Sequence, residues 1–183
     1  MQAFAAATAA LQGARSIANS AALLAWPDTR ADWVRPGLVL YGVTPFPSGT
    51  GADLGLRPAM TLQTEVIAVK DVREGETVGY GGAWRAARHS RMAVVAAGYG
   101  DGYPRSVESG TPLLITGRRA PIVGRVSMDM ITVHVTDLPG VATGDPVVLW
   151  GEGVPVEDIA RHAGTIPYEL ICGVSQRVQH ELR

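Results

Sequence analysis

The sequence predicts a mostly β domain, a small β-barrel or Greek key, behind a shorter stretch where helix and strand alternate. Two observations carry this prediction. From Leu56 onward short apolar runs recur between turn signals, and no helical period appears until after residue 155. Ahead of them, Pro45 to Gly55 holds two prolines, three glycines and little apolar content, the composition of a linker or domain boundary.

The totals narrow the function classes. A chain of 183 residues with 46 % hydrophobic residues makes one to two domains with a core of its own. No run approaches the roughly 18 apolar residues of a membrane span, so none is expected. A net charge of −1 leaves no basic footprint for nucleic acid. Charged residues are 18 % of the chain, against about 25 % in ordinary domains, which points to surface covered by another domain or chain. The single cysteine, Cys172, excludes an internal disulfide and suits a reducing cytoplasm. His89, His134, His162 and His180 lack ligand spacing, so no metal site is expected. Neither a nucleophile elbow nor a Walker loop is present. Met1 to Ala14 is alanine-rich but lacks the basic leader of a signal peptide and is read as part of the folded chain.

In chain order, Ala3 to Gln12 reads as a surface helix stopped by Gly13. Ser16 to Ala22 reads either as a short strand ending in small polar residues, where α/β barrels place ligand contacts, or as a cap at Asn19 and Ser20 for a helix over Ala21 to Leu24. Asp28 to Val34 is a short amphipathic segment. Arg35 to Gly42 is an apolar run, expected to be buried, entered through a Pro-Gly corner with Arg35 at its mouth. Met60 to Val72 is one long strand, half exposed at one end and expected to be buried on both faces at the other. Arg73 to Glu76 turns, and Thr77 to Tyr80 begins the return; Gly79, Gly81 and Gly82 surround Tyr80. Five further strands are predicted over Arg91 to Gly98, Pro112 to Thr116, Ala120 to Val126, Met130 to Val135 and Pro146 to Trp150, with His134 on a solvated face. Val156 to Ala163 is a helix closed by Gly164. A second helix spans Ile166 to Cys172 with Thr165 as its cap, and Arg177 to Leu182 is a last strand.

The stretch with chemistry in it is Ala96 to Arg105. An apolar strand, Met92 to Ala97, runs into Gly98, Gly100 and Gly102, which hold Tyr99 and Asp101 among small neighbours. A phenol at a strand end can serve as acid or base where its surroundings adjust a pKa that is ordinarily about 10. By themselves these ten residues also describe a glycine-rich hairpin with a half-buried tyrosine. Tyr80 carries the same two readings.

Six motifs in order tie these observations together: Ala-Asn-Ser-Ala-Ala (18–22), Val-Arg-Pro-Gly-Leu-Val-Leu-Tyr-Gly (34–42), Val-Gly-Tyr-Gly-Gly (78–82), Ala-Gly-Tyr-Gly-Asp-Gly-Tyr-Pro-Arg (97–105), Val-Gly-Arg-Val-Ser-Met-Asp-Met (123–130) and Tyr-Glu-Leu-Ile-Cys (168–172). Together they resemble the alanine racemases across essentially the whole chain. The resemblance implies residues 1–48 as the closing elements of a pyridoxal-phosphate-binding (β/α)8 barrel, 49–56 as linker and 57–183 as the β-rich C-terminal domain.

It also implies roles. Tyr99 matches one of two catalytic bases, reaching into the partner subunit's site of a homodimer. Inversion at a planar carbon needs a proton donor on each face, and one residue cannot occupy both. Arg35 matches the arginine at the cofactor's pyridine nitrogen. A guanidinium stays protonated and donates only, so that nitrogen goes without its own proton. Ser20, Gly37 and Leu38 match the phosphate contacts, with Asn19 beside them, and Tyr168 matches a tyrosine that also reaches the phosphate. Met128 and Asp129 match the segment facing the substrate carboxylate, with Tyr80 at the entrance. Gly100 stands where the family commonly has alanine, a change expected to loosen the loop.

The lysine that binds the cofactor in this family has no counterpart here. The chain has one lysine, Lys70, which lies in a β-domain strand with no motif around it and reads as an ordinary exposed residue. The expectation is therefore a cytoplasmic alanine racemase, supplying D-alanine for the cell wall or serving alanine catabolism, represented by a portion inactive alone. Three alternatives stand beside it: a racemase of the same fold for serine or another amino acid, a non-catalytic β-barrel binding module, and a pyridoxal-phosphate decarboxylase of similar plan.

Overall fold

A computed structural model describes residues 1–182. The chain divides into two compact units, Met1–Ala59 and Met60–Arg183.

The first unit opens with helix α1, Gln2–Thr8, shorter than the sequence suggests. It has no side-chain cap and buries nothing, so only intrinsic propensity holds it, and that does not sustain a long helix. Strand β1, Ser16–Asn19, pairs parallel with β2, Trp33–Arg35, and runs directly into helix α2, Ser20–Ala25. Asn19 both ends the strand and caps the helix, its side chain accepting from the Ala22 N–H at 3.0 Å. Each sequence reading of this stretch holds in part: the strand stops at Asn19, and Asn19 alone is the cap, with Ser20 the first residue of the helix. Between Asp28 and β2 there is only a one-turn 3₁₀ helix, Pro27–Thr29.

The run from Arg35 to Gly42 is not the buried segment expected. It forms a one-turn 3₁₀ helix, Leu38–Tyr41, in which Leu38 is buried while Leu40 is 66 % exposed. A turn so tight spreads its side chains around the axis and lets only one face pack. Gly42, at φ 76°, lies against the Arg57 carbonyl, and Gly51 against the Gly42 carbonyl; a Cβ at either would overlap backbone. The stretch between them is therefore held close, and the Asp53 carboxylate accepts from the Thr50 N–H at 2.7 Å to start a further 3₁₀ turn, Gly51–Leu54.

The second unit is a six-stranded antiparallel sheet built from β3 (Leu62–Val72), β6 (Ser90–Val95), β7 (Pro112–Ile115), β8 (Arg118–Pro121), β9 (Ile131–His134) and β10 (Pro146–Trp150). Its order is β8-β7-β10-β3-β6-β9, and a bridge between Ile122 and Val133 brings the two edge strands together, so the barrel is nearly closed. A separate two-stranded hairpin joins β4 (Thr77–Val78) to β5 (Trp84–Arg85). Val66, Leu113, Ile131 and Leu149 are fully buried inside the barrel, each contributing about 1.5–3 kcal/mol over an exposed position, and Met92 is buried in a second cluster with Val72, Val78, Ala86 and Val123, against which Trp84 packs. Helix α3, Val156–Ala163, ends at Gly164 with φ 68°, as predicted, and α4 spans Pro167–Gly173. Among the described residues no helix is long and apolar enough to cross a membrane.

Several local expectations fail for identifiable reasons. The far end of β3 is not buried on both faces, and Ile67 is 41 % exposed, because a bulge between Val66 and Ala68 shifts the register against β6. Strand β8 begins at Arg118, not at Ala120, since Thr116 (φ 48°) and Gly117 (φ 77°) make a two-residue turn that leads straight into the return strand. Ile166 occupies the cap of α4, and the Thr165 hydroxyl instead donates to the Glu169 carboxylate. Residues 177–182 form no strand. His134 is half-buried, not solvated, tilted against the Trp84 ring at 5.9 Å with its Nε2 2.9 Å from the Thr136 hydroxyl.

Candidate functional site

The candidate residues fall into two groups, one in each unit. In the first, the parallel pairing of β1 with β2 puts Asn19 opposite Arg35. The Arg35 guanidinium donates to the Ser16 hydroxyl at 2.6 Å, which fixes a long side chain at the strand's end. The Ser20 side chain is buried, and its oxygen accepts from the Gly37 N–H at 3.0 Å and the Val39 N–H at 3.4 Å. A hydroxyl that accepts twice keeps its own proton to donate. Around Gly37 there is open space, for a Cβ there would meet no heavy atom within 4 Å. Asn19, Ser20, Arg35, Gly37 and Leu38 are thus neighbours, brought together by one strand pair and the turn after it.

The second group is organised by the loop after β6. Gly98 starts a one-turn 3₁₀ helix, Tyr99–Asp101, and its N–H donates to the Asp101 carboxylate at 2.9 Å. The Tyr99 N–H donates to the Ser127 carbonyl at 3.1 Å and the Gly100 N–H to the Met128 carbonyl at 2.9 Å. These bonds lay the tyrosine loop along the segment that carries Met128 and Asp129. The approach requires glycine: a Cβ at Gly98 would overlap the carbonyls of both Ser127 and Met128, and one at Gly102 would overlap the Gly173 carbonyl at the end of α4. The Tyr99 ring, by contrast, stands out of this tightly packed backbone, 44 % exposed.

One residue that sequence reasoning passed over completes the group. Arg177 donates through Nη2 to the Asp129 carboxylate at 2.6 Å, and its Nε lies 3.5 Å from the Asp101 carboxylate. The hydrogen bond it donates to Asp129 and then the charge of Asp101 push the guanidinium pKa still higher. At Gly100 the missing Cβ leaves room for the Arg177 Nη1, which would lie 2.4 Å from a Cβ there. Arg177 falls in what the sequence presents as a last strand, and nothing local marks its partners.

The remaining tyrosines and the lysine are carried by other stretches of the chain or buried. Tyr80, 68 % exposed, sits in a one-turn 3₁₀ helix between β4 and β5. Tyr168 is in the first turn of α4, 45 % exposed. Lys70 is exposed on β3. Tyr103, at the close of the Tyr99 loop, is buried and stacked on Trp150 with ring centroids 5.7 Å apart, and burial pushes its phenol pKa up.

Comparison with known proteins matches both units. The family model of the alanine racemase C-terminal domain covers residues 59–182, and that of the alanine racemase N-terminal domain covers residues 1–45. The chain is 57 % identical over 171 residues to an alanine racemase of Aeromonas hydrophila subsp. hydrophila, a match that takes in 93 % of this chain and 48 % of that protein. Among solved structures, the biosynthetic alanine racemase of Pseudomonas aeruginosa superposes with a TM-score of 0.91 at 49 % identity, covering 97 % of this chain and 49 % of that one. The alanine racemase of Bartonella henselae, solved with covalently bound pyridoxal phosphate, gives 0.84 at 33 % identity, covering 96 % of this chain and 49 % of that one. The chain spans about half the length of the relatives it matches.

Proposed function

The chain belongs to the alanine racemase family, and from that premise we propose that it is the C-terminal portion of a pyridoxal-phosphate-dependent enzyme interconverting L- and D-alanine, with Tyr99 as one of two proton-transfer groups. The observation that carries this reading is the Tyr99 loop: its backbone is fixed by hydrogen bonds to Ser127 and Met128 while the phenol projects, 44 % exposed, toward whatever docks there. A proton-transfer group needs this combination of a rigid base and an accessible atom.

The first group suits the cofactor. The Ser20 hydroxyl, with a proton left to donate, and the open space at Gly37 fit a phosphate, with Leu38 and Asn19 beside them. Arg35, steadied by Ser16, is a donor without acceptor capacity, the type that meets a pyridine nitrogen and leaves it unprotonated. When bound, pyridoxal phosphate draws electron density from the alanine Cα and makes its proton removable. Tyr99 then takes or returns that proton on one face of Cα. Met128 and Asp129 hold the substrate carboxylate's side of the pocket, and Tyr80 stands at its entrance.

The opposite face needs a lysine, and Lys70, exposed on a barrel strand of the second unit, is not placed by any motif to supply it. The 183 residues are therefore inactive alone. In the whole enzyme, residues 1–48 close the cofactor barrel, 49–56 link and 57–183 form the C-terminal domain, with sites shared across a homodimer in the cytoplasm.

The test is a chimera in which the preceding half of the Aeromonas hydrophila enzyme is joined to this chain. It should bind pyridoxal phosphate and racemise alanine, and Tyr99→Phe should lower kcat by about 10²–10⁴-fold, the usual contribution of a positioned acid or base. A chimera that binds the cofactor but leaves alanine untouched overturns the reading, as does a Tyr99→Phe variant with full activity.

A further inference from the structure

We propose that Arg177 is a positioning residue that locks the Tyr99 loop to the Met128–Asp129 segment, so that phenol and substrate-facing backbone move as one body. The inference rests on the racemase reading for its functional consequence, and on geometry for the lock itself. One guanidinium reaches both loops: Asp129 at 2.6 Å through Nη2, and Asp101, within the Tyr99 turn, at 3.5 Å from Nε. The backbone of the same tail adds a third tie, the Ser175 N–H donating to the Asp101 carbonyl at 3.0 Å. The tail after α4 thus lies against the tyrosine loop and ties it to the Met128–Asp129 segment.

The planar fork of an arginine can span two carboxylates, whereas a lysine is a single point of charge. Gly100 gives the guanidinium room, since a Cβ there would lie 2.4 Å from the Arg177 Nη1, which would have to shift, and 3.0 Å from the Met128 carbonyl. Exposed ion pairs contribute little to global stability. What this one does govern is where two loops sit, and a proton-transfer group displaced by about 1 Å can lose on the order of 100-fold in rate.

In the chimera, Arg177→Met should lower kcat by about 10- to 100-fold with the unfolding midpoint unchanged. Amide hydrogen exchange should quicken over Tyr99–Gly102 and Ser127–Asp129. The deuterium isotope effect on Cα–H should grow for the one enantiomer whose proton Tyr99 handles, and not for the other. Arg177→Lys should recover only part of the rate. Gly100→Ala should reproduce part of the loss, and add nothing once Arg177 is already Met. Unchanged exchange in both loops overturns the proposal, as does a loss of rate that affects both enantiomers' isotope effects alike or follows a lowered midpoint. If the unsubstituted chimera fails to racemise alanine, the racemase reading has failed, and the exchange experiment still decides whether Arg177 fastens the loops.

Discussion

The loops around Tyr80 and Tyr99 look alike in sequence, each a tyrosine among three glycines, yet glycine serves a different purpose in each. Around Tyr80, Gly79, Gly81 and Gly82 all have positive φ, and a Cβ at Gly81 would meet nothing within 4 Å. There the glycines supply a backbone conformation. Around Tyr99, Gly98 has extended backbone and Gly100 no positive φ, but a Cβ at Gly98 would overlap two carbonyls. There Gly98 supplies proximity, and Gly102, at φ 98°, supplies proximity and a left-handed turn together. A loop that turns in open space can vary its side chains, whereas one pressed onto a neighbouring segment fixes what it carries.

Substitution can break that contrast. Gly98→Ala must push Tyr99 off the Ser127–Met128 backbone, and a loss of about 2–4 kcal/mol is expected in chemical denaturation, in the range of overpacking with broken hydrogen bonds. The Tyr99 loop also closes on a phenol that the Tyr80 loop has no equivalent for. Burial raises the Tyr103 pKa above its ordinary 10, so the folded state favours the protonated form. Its contribution is complete below about pH 10, where the unfolded phenol is also neutral, and is lost as pH rises above that. Absorbance titration of Tyr103→Phe against the parent should show that phenol missing from the tyrosines ionising near pH 10, and the parent's stability should fall more steeply than the variant's beyond it. The smallest effect belongs to the open loop: Gly81→Ala should cost about 1 kcal/mol, the penalty of a left-handed conformation alone. Equal costs at Gly98 and Gly81 would erase the distinction.

Sequence periodicity located β10 and α3 to the residue, because β10 is a compact apolar run and Gly164 stops α3 with a left-handed residue that only glycine adopts cheaply. It misplaced β8 because the turn before it uses a threonine at positive φ, where composition gives no sign. The Tyr99 loop stands out in the sequence by its glycines, and Ser20 and Gly37 by their motifs, while the structure adds which segments each lies against. Arg177 was not, since its partners Asp101 and Asp129 come from distant parts of the chain and only the folded tail brings them within reach. Apolar residues near Leu40 read as buried because hydrophobicity alone cannot say which face of a single turn finds a neighbour.

The bridge from Ile122 to Val133 has a consequence for how the molecule meets others. With its margins stitched together, the second unit's main sheet offers no long row of unused main-chain donors and acceptors on which a foreign strand could template itself. The β1–β2 ribbon, with only each other as partners, keeps both of its outer margins bare among the described residues. In the racemase proposed for this chain the remaining barrel strands take up those margins, whereas recognition by the second unit's main sheet has to be written in side chains.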